Sequence, residues 1–200
     1  MEINKKTLDM ARVESYIRTF DNIFPENTLK VFLKLCENHF IYEDAGVVNN
    51  GETIIDKEMR NVKRKGLHNV HDKSLTNSHW CALLYSYFME RIKVYTTDFN
   101  LNKLKPIVTD IQVLKYTPGG HYGFHVDDGP TTPRTLSLIY FVNDNYKGGD
   151  LVFRAVGTDN IIKIERNKNR LVVWPSNFIY PHSVTPVDEG TRYSVVAWAK

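Results

Sequence analysis

The sequence predicts an α+β fold in which N-terminal helices support a jelly-roll core, also called a double-stranded β-helix. Residues 1 to about 105 contain apolar residues at helical spacing, whereas residues 107–199 consist of short β-rich runs separated by turns. A length of 200 residues with a hydrophobic fraction of 42% suits one domain. We therefore expect a single domain over 1–200, with helical support over about 1–105 and the jelly roll over about 107–199.

Two helices are expected in the first half. Pro25 is well placed to open the first, which runs to about Phe40 with apolar residues at helical spacing. Asn77 is the expected N-cap of the second, which runs to about Tyr95. The segment 56–78 between them is polar and rich in Lys, Arg and His, so we expect a loop or short helices there.

Eight strands are expected in the second half. The turns between them carry ProGlyGly at 118–120, AspAspGlyPro at 127–130, GlyGlyAsp at 148–150 and GluGly at 189–190. Many short strands at this spacing are typical of a sandwich or jelly roll. The expected strands are 107–116, 122–126, 135–142, 151–154, 161–164, 170–174, 178–183 and 192–198.

Composition excludes some classes of function. The 26 Lys and Arg against 23 Asp and Glu give a net charge of +3, which is too small to indicate a nucleic-acid partner. No apolar run approaches the roughly 18 residues of a membrane span, and the N-terminus lacks the apolar core of a signal peptide. Cys36 and Cys81 lie in apolar, helical-looking stretches and read as buried thiols. We expect a cytoplasmic protein with no membrane or nucleic-acid partner; the oligomeric state stays open.

The strongest local motif is HYGFHVDDG at 121–129. His125 and Asp127 are two residues apart in a strand-like run, so their side chains point to one face. A third ligand, His182, lies about 55 residues later near the end of another expected strand. Two His and one carboxylate on a jelly roll make the facial triad of non-haem iron(II) oxygenases, which leaves coordination positions open.

An arginine ten residues after His182 strengthens this interpretation. Arg192 begins the last expected strand, and its guanidinium can bind a carboxylate through two parallel hydrogen bonds. Ser194 follows on the same face and can add a hydroxyl contact. A permanently charged fork at this place suits the far carboxylate of 2-oxoglutarate.

The second half resembles the prolyl 4-hydroxylase branch of the 2-oxoglutarate- and Fe(II)-dependent dioxygenases. The resemblance covers about the last 95 residues, and the order and spacing of all its pieces match. The pieces are QVLKYTPGGHYGFHVDDG (112–129), PRTLSLIYFVND (133–144), GGDLVF (148–153), RLVVWPS (170–176), PHSVTP (181–186) and TRYSVVAW (191–198).

The resemblance implies a role for individual residues. It makes His125, Asp127 and His182 the iron ligands and Arg192 the residue that binds 2-oxoglutarate. Tyr116 matches a tyrosine that contacts the cosubstrate, and Ser194 lies beside Arg192. The positions that face the substrate in several members are occupied here by Tyr122, Arg134 and Trp198.

Two positions depart from the pattern. Phe141 stands where some members have a second cosubstrate tyrosine, and Lys200 stands where some peptide-binding members have His. The first removes a hydrogen bond to the cosubstrate, and the second leaves the details of substrate binding open.

The resemblance implies hydroxylation of a C–H bond with Fe(II), 2-oxoglutarate and O2, with ascorbate as a candidate additional cofactor and succinate and CO2 as coproducts. The expected substrate is a prolyl residue in a peptide or protein, which the polar segment 56–78 would cover as a lid. The alternatives are free proline, another small molecule, or a metal-binding jelly-roll module without turnover. Oxidative nucleic-acid repair is disfavoured because Trp198 replaces a second arginine, and halogenation is disfavoured because Asp127 is a carboxylate.

Overall fold

A computed structural model describes residues 13–49, 52–67, 74–101, 103–155 and 160–200. A short 3-10 helix, Val13–Tyr16, precedes two α-helices, α1 (Glu26–Asn38) and α2 (Leu75–Asp98). α1 begins directly after Pro25, as expected. α2 begins two residues before the predicted N-cap, because the Ser74 hydroxyl accepts a hydrogen bond from the Asn77 backbone N–H at 3.3 Å and caps the helix.

The described residues form sixteen short strands. They are β1 (Arg18–Phe20), β2 (Glu43–Asp44), β3 (Val47–Asn49), β4 (Glu52–Ile54), β5 (Arg60–Asn61), β6 (Lys63–Gly66), β7 (Val108–Tyr116), β8 (His121–His125), β9 (Leu136–Phe141), β10 (Lys147–Gly148), β11 (Leu151–Arg154), β12 (Ile161–Lys163), β13 (Arg170–Pro175), β14 (His182–Val184), β15 (Val187–Glu189) and β16 (Arg192–Ala199).

Two antiparallel sheets dominate the fold. The larger has seven strands in the order β1-β13-β9-β16-β7-β6-β2, and the smaller has five in the order β12-β11-β14-β8-β5. The pairs β10–β15 and β3–β4 are separate two-stranded ribbons. Non-consecutive neighbours in both sheets produce the crossovers of a jelly roll. The expected α+β fold with a double-stranded β-helix core is confirmed.

Each face of the larger sheet buries its own apolar cluster. The outer face packs against α1 and α2 through residues such as Phe32, Phe88 and Tyr140. The inner face packs against the smaller sheet through residues such as Phe153 and Trp174. Alternation along the strands supplies both faces, so β9, β13 and β16 are buried along almost their whole length. This rigid double layer holds the inner-face side chains in place.

The first half is less helical than the sequence predicts. Six short strands come from it, and the described part of segment 56–78 contains β5 and β6. β6 pairs with β7 in the larger sheet and β5 pairs with β8 in the smaller one. These strands are polar and only two to four residues long, so their sequence shows no apolar alternation. Residues 68–73 of the segment lie outside the described residues.

One expected strand, 178–183, is also mostly wrong. The chain turns there, because the Asn177 side chain accepts a hydrogen bond from the Ile179 N–H at 3.1 Å and the Asn177 carbonyl accepts one from the Tyr180 N–H at 3.1 Å. The strand starts only at His182. The other seven expected strands are present with small shifts of their ends.

Cys36 is buried as expected, whereas Cys81 is half-buried. Among the described residues, neither helix combines the length and the apolar character that crossing a bilayer requires.

Candidate metal centre and cosubstrate pocket

Strand pairing brings the three expected metal ligands together. β8 and β14 are antiparallel neighbours in which His125 lies directly opposite His182, and the two imidazole centroids are 4.3 Å apart. Asp127 follows two residues after β8 ends. Its carboxylate oxygens lie 3.6 Å from the His125 Nε2 and 3.4 Å from the His182 Nε2. One ligand atom from each residue lies within 4.8 Å of the other two. Three ligand atoms this close together could hold one metal ion.

Backbone carbonyls set the tautomer of both histidines. The His125 Nδ1 lies 2.9 Å from the Gly123 oxygen, and the His182 Nδ1 lies 3.1 Å from the Tyr180 oxygen. Because a carbonyl only accepts, each Nδ1 carries a hydrogen, so the lone pair of the neutral imidazole is on Nε2. Burial and the neighbouring His182 lower the pKa of His125 to about 3, so its imidazole is neutral. Neutral Nε2 atoms facing a carboxylate are the form that binds a metal.

Asp127 is buried and held in its ionised form. Burial opposes ionisation, but the neighbouring His182 and His125, the Ser137 hydroxyl and Arg134 together keep the pKa of Asp127 below its usual value. The Ser137 hydroxyl donates to Oδ2 at 2.7 Å. The sequence analysis did not find Ser137, which is one inward-facing serine among many. The bond fixes the orientation of the carboxylate.

Arg192 lies inside the barrel with none of its surface exposed. Its Nη1 donates to the Ser194 hydroxyl at 2.9 Å, while its Nε and Nη2 have no hydrogen-bond partner. No carboxylate of the described residues forms an ion pair with it. A buried, unpaired guanidinium is costly. An anionic ligand that reaches these two nitrogen atoms would remove the cost, and a carboxylate fits the guanidinium fork.

Aromatic rings surround this guanidinium. Tyr116 lies directly opposite Arg192 in the β7–β16 pair, and its ring centroid is 4.7 Å from the guanidinium carbon. The Phe141 ring centroid is 5.4 Å from the same guanidinium carbon. Phe141 has no hydroxyl, so it lacks the group that a second tyrosine would supply here. Gly149 (φ +61°) packs behind the side chain. A Cβ on Gly149 would lie 3.1 Å from the Arg192 Cδ, so the close approach requires glycine.

The metal group and Arg192 lie at two levels of one apolar interior. Trp174, Ser137 and Trp198 are neighbours across β13, β9 and β16, at the level where Ser137 contacts Asp127. Arg192 precedes Trp198 by six residues on β16, so its Cα lies about 20 Å along the strand from the Trp198 level. Its side chain extends towards Ser194, which is the direction of the metal group. The indole Nε1 of Trp174 is also buried without a partner. The interior therefore suits an elongated ligand with several acceptor atoms, such as 2-oxoglutarate.

An open cleft of about 820 Å³ leads to the metal group and contains the three expected substrate-facing residues. Tyr122, Arg134 and Trp198 all line it. The Arg134 guanidinium stacks 3.9 Å above the Trp198 ring and donates to the Asp127 carbonyl at 3.1 Å. The other wall comes from the first half of the chain and includes Arg60, which the sequence analysis missed because it lies on a two-residue strand.

Comparison with known sequences identifies the second half of the chain. Residues 111–200 match the model of the 2OG-Fe(II) oxygenase superfamily. A PKHD-type hydroxylase of Rippkaea orientalis is 34% identical over 91 residues, which are 42% of this chain and 39% of that protein. A PKHD-type hydroxylase of Maricaulis maris is 36% identical over 94 residues, 45% and 41% of the two chains. The match thus spans about two fifths of the length of these relatives.

Solved structures extend the likeness to the whole fold. A prolyl hydroxylase of Trichoplax adhaerens, in complex with a hypoxia-inducible-factor peptide fragment, superimposes with a TM-score of 0.69 at 18% identity over 92% of this chain and 83% of that one. A prolyl-4-hydroxylase of Pseudomonas putida gives a TM-score of 0.65 at 18% identity over 94% and 96% of the two chains. At such identities the likeness establishes the fold.

The predicted class, a 2-oxoglutarate-dependent dioxygenase that uses Fe(II), 2-oxoglutarate and O2, agrees with the superfamily model and with the His–Asp–His group. The donor set, two imidazoles and a carboxylate, fits Fe(II), and the unpaired guanidinium fits the cosubstrate. Residues 111–200 thus match the 2OG-Fe(II) oxygenase superfamily, and the resemblance of this chain to the prolyl 4-hydroxylase branch is confirmed.

Proposed function

We propose that this protein is an Fe(II)- and 2-oxoglutarate-dependent dioxygenase that hydroxylates a prolyl residue within a peptide or protein. One observation carries the proposal. A group of two imidazoles and a carboxylate faces the same interior as a fully buried arginine whose Nε and Nη2 have no partner. A metal and a dicarboxylate together would satisfy both ends of this interior.

His125, Asp127 and His182 would hold the iron through one ligand atom each, a set that would leave coordination positions free for the cosubstrate. Bound there, Fe(II) supplies the chemistry that couples oxidation of 2-oxoglutarate to succinate and CO2 with insertion of oxygen into a C–H bond. Ser137 keeps the Asp127 carboxylate oriented through its 2.7 Å hydrogen bond. The carbonyl partners of both histidines place the lone pair of the neutral imidazole on Nε2.

Arg192 and Ser194 would bind the far carboxylate of 2-oxoglutarate, with Tyr116 beside it. The Ser194 hydroxyl already lies 2.9 Å from Nη1, so it also holds the guanidinium in place before the cosubstrate arrives. Arg192 is fully buried, and the apolar side chains around it, Tyr116 and Phe141 among them, keep water out of this part of the interior. Preorganisation of this kind lowers the cost of binding the dicarboxylate.

The cleft supports a peptide substrate. It is open to solvent, and residues of the β3–β4 ribbon, of segment 56–78 and of the jelly roll line it together. Trp198 lines the cleft and carries the Arg134 guanidinium on its ring, and Arg134 can donate to a peptide carbonyl. Asp56, Met59, Arg60 and Arg64 line the opposite wall, which supports the expectation that segment 56–78 covers the substrate. The named activities of the similar proteins, PKHD-type hydroxylases and prolyl hydroxylases, point to the same class.

The first experiment is an anaerobic titration of the metal-free protein with Fe(II) and then 2-oxoglutarate, followed by visible absorption. A weak charge-transfer band that needs both additions is expected. If no band forms and no succinate is released in air, the protein is a metal-binding module or a different enzyme.

The second experiment addresses the substrate. The Fe(II)-loaded protein is incubated with 2-oxoglutarate and either proline-containing peptides or free proline, and mass spectrometry reports a gain of one oxygen. Turnover of free proline or another small molecule alone would reject the peptide substrate and keep the oxygenase. Trp198→Ala should reduce peptide turnover far more than substrate-free succinate release; equal losses would assign Trp198 to the core. A requirement for ascorbate and a cytoplasmic location stay predictions.

A further inference from the structure

A three-layer stack covers one face of the metal-binding histidine. The Tyr122 ring lies parallel to the His125 ring, with centroids 3.6 Å apart and planes 17° apart. The Arg60 guanidinium carbon lies 4.5 Å from the Tyr122 centroid, and its Nη1 donates to the Gly46 carbonyl at 2.8 Å. From the cleft inward, the order of the stack is arginine, tyrosine, histidine.

An irregularity in β8 makes the stack possible. Residues three apart on a regular strand point to opposite faces. Between the pairs His182–His125 and Val184–Tyr122, however, β14 advances two residues while β8 advances three. This extra residue is a β-bulge, a device that re-aims side chains next to active sites. It turns Tyr122 to the same face as His125.

The stack restrains a movement of the His125 ring that its hydrogen bond does not prevent. The contact of Nδ1 with the Gly123 carbonyl fixes one edge of the imidazole, but a single bond permits the ring plane to rock. The Tyr122 ring packs against one face of the His125 imidazole. The His182 ring also contacts this imidazole, and the two ring planes are 55° apart. β5 brings Arg60 directly opposite Tyr122 in the β5–β8 pair, so the third layer is set by backbone pairing.

We propose that Tyr122 is a positioning residue for the metal ligand His125, and that Arg60 holds Tyr122 in place. The inference rests on the proposed function only in taking His125 as a metal ligand. It also revises the expected role of Tyr122: the ring still lines the cleft, but its main task is to fix the imidazole plane. Arg60, which the sequence analysis did not single out, then acts through Tyr122.

The test measures metal affinity directly. Co(II), which gives visible ligand-field bands, is titrated into the metal-free protein and into Tyr122→Phe, Tyr122→Ala, Arg60→Ala and the double variant. Tyr122→Phe keeps the ring and should bind within about twofold of the parent. Tyr122→Ala should bind roughly two- to tenfold more weakly, the effect of one aromatic pair. Arg60→Ala should weaken binding by roughly two- to fivefold, with no further loss in the Tyr122→Ala background.

Phe124 provides a matched control. It lies on the same strand next to His125, and it carries its own arginine, since the Arg154 guanidinium carbon is 4.0 Å from its centroid. Phe124→Ala removes a similar pair from the other face of β8 and should leave Co(II) affinity unchanged. Equal losses in Phe124→Ala and Tyr122→Ala would mean that β8 had merely loosened, and would overturn the inference.

Other outcomes separate the two proposals. If the parent binds Co(II) and Tyr122→Ala binds it equally well, the positioning role fails and the proposed function stands. A loss in Tyr122→Phe as large as in Tyr122→Ala would assign the effect to the hydroxyl and also reject the stack. If the parent binds no Co(II), both proposals fail. Should thermal melting show Tyr122→Ala to be unfolded without metal, Tyr122→Leu and Arg60→Ala decide in its place.

Discussion

Replacing Arg192 by Met should have opposite effects on the protein with and without 2-oxoglutarate. Met removes the charge and keeps much of the volume beside Tyr116 and Phe141. In the parent, the buried guanidinium has one internal hydrogen bond and two unpaired nitrogen atoms. Without the cosubstrate this charge is a cost, so Arg192→Met should melt at the same temperature as the parent or above it.

The loss of 2-oxoglutarate affinity expected in Arg192→Met also follows from the burial of this side chain. A carboxylate entering the variant would lose a charged, two-point partner in an interior that offers it only the Ser194 and Tyr116 hydroxyls. Loss of one partner of a buried charged pair costs about 2–5 kcal/mol, which corresponds to about 30-fold to several-thousand-fold weaker binding of 2-oxoglutarate. Arg192→Lys should recover part of this loss because it restores the charge but not the fork.

The assay is calorimetric titration of 2-oxoglutarate into the Co(II)-loaded protein, with thermal melting of the metal-free form. Arg170 gives the matched control, because it is a buried arginine on the same sheet that does have partners, Asp21 at 2.7 Å and Glu165 at 3.3 Å. Arg170→Met should lower the melting temperature and leave 2-oxoglutarate affinity unchanged. Unchanged cosubstrate affinity in Arg192→Met would refute the assignment of Arg192.

Three further predictions concern the metal group and pH. Asp127→Ala should abolish succinate formation and strongly weaken metal binding, since three ligands are the minimum; normal Fe(II) affinity in this variant would reject the triad. Ser137→Ala should lower Co(II) affinity by about tenfold through loss of its bond to Asp127, whereas an unchanged affinity would show that the bond is incidental. His121 bridges the carbonyls of Glu58 (2.9 Å) and Gly119 (3.0 Å), which raise its pKa. Its stabilising effect should therefore be complete below the unfolded-state pKa of about 6.5 and be lost as the pH rises through the folded-state value. The melting difference between the parent and His121→Gln should be larger at acid than at alkaline pH, and a difference that grew with pH would contradict this.

The sequence predicts the metal group well because its determinants are local. A spacing of two in a strand is enough to place His125 and Asp127 on one side, and the strand-like surroundings of His182 and Arg192 are apolar and easy to recognise. The pairing of β8 with β14 is a long-range property, which the sequence alone does not state. The resemblance to a family supplied that step.

The residues that support the site were missed for a physical reason. Ser137 and Arg60 matter through a partner that is distant in the chain, Asp127 and Tyr122 respectively. Arg60 also lies in a polar two-residue strand whose pairing with β8, and not its own propensity, makes it β. The bulge that turns Tyr122 towards His125 likewise arises from register, so the alternation rule assigns that side chain to the wrong face.

Charge balance explains why the fold tolerates a buried, unpaired arginine. Asp127 and Arg192 carry opposite charges, but no ion pair joins them, because Asp127 contacts His125, His182 and Arg134 instead. Under the proposed function, Fe(II) adds two positive charges beside Asp127, and 2-oxoglutarate adds two negative charges between the metal and Arg192. Either ligand alone leaves the interior two charges from neutrality, whereas both together balance it. Each ligand thus favours the binding of the other, and Arg192 stays available because its partner is the cosubstrate and not another side chain.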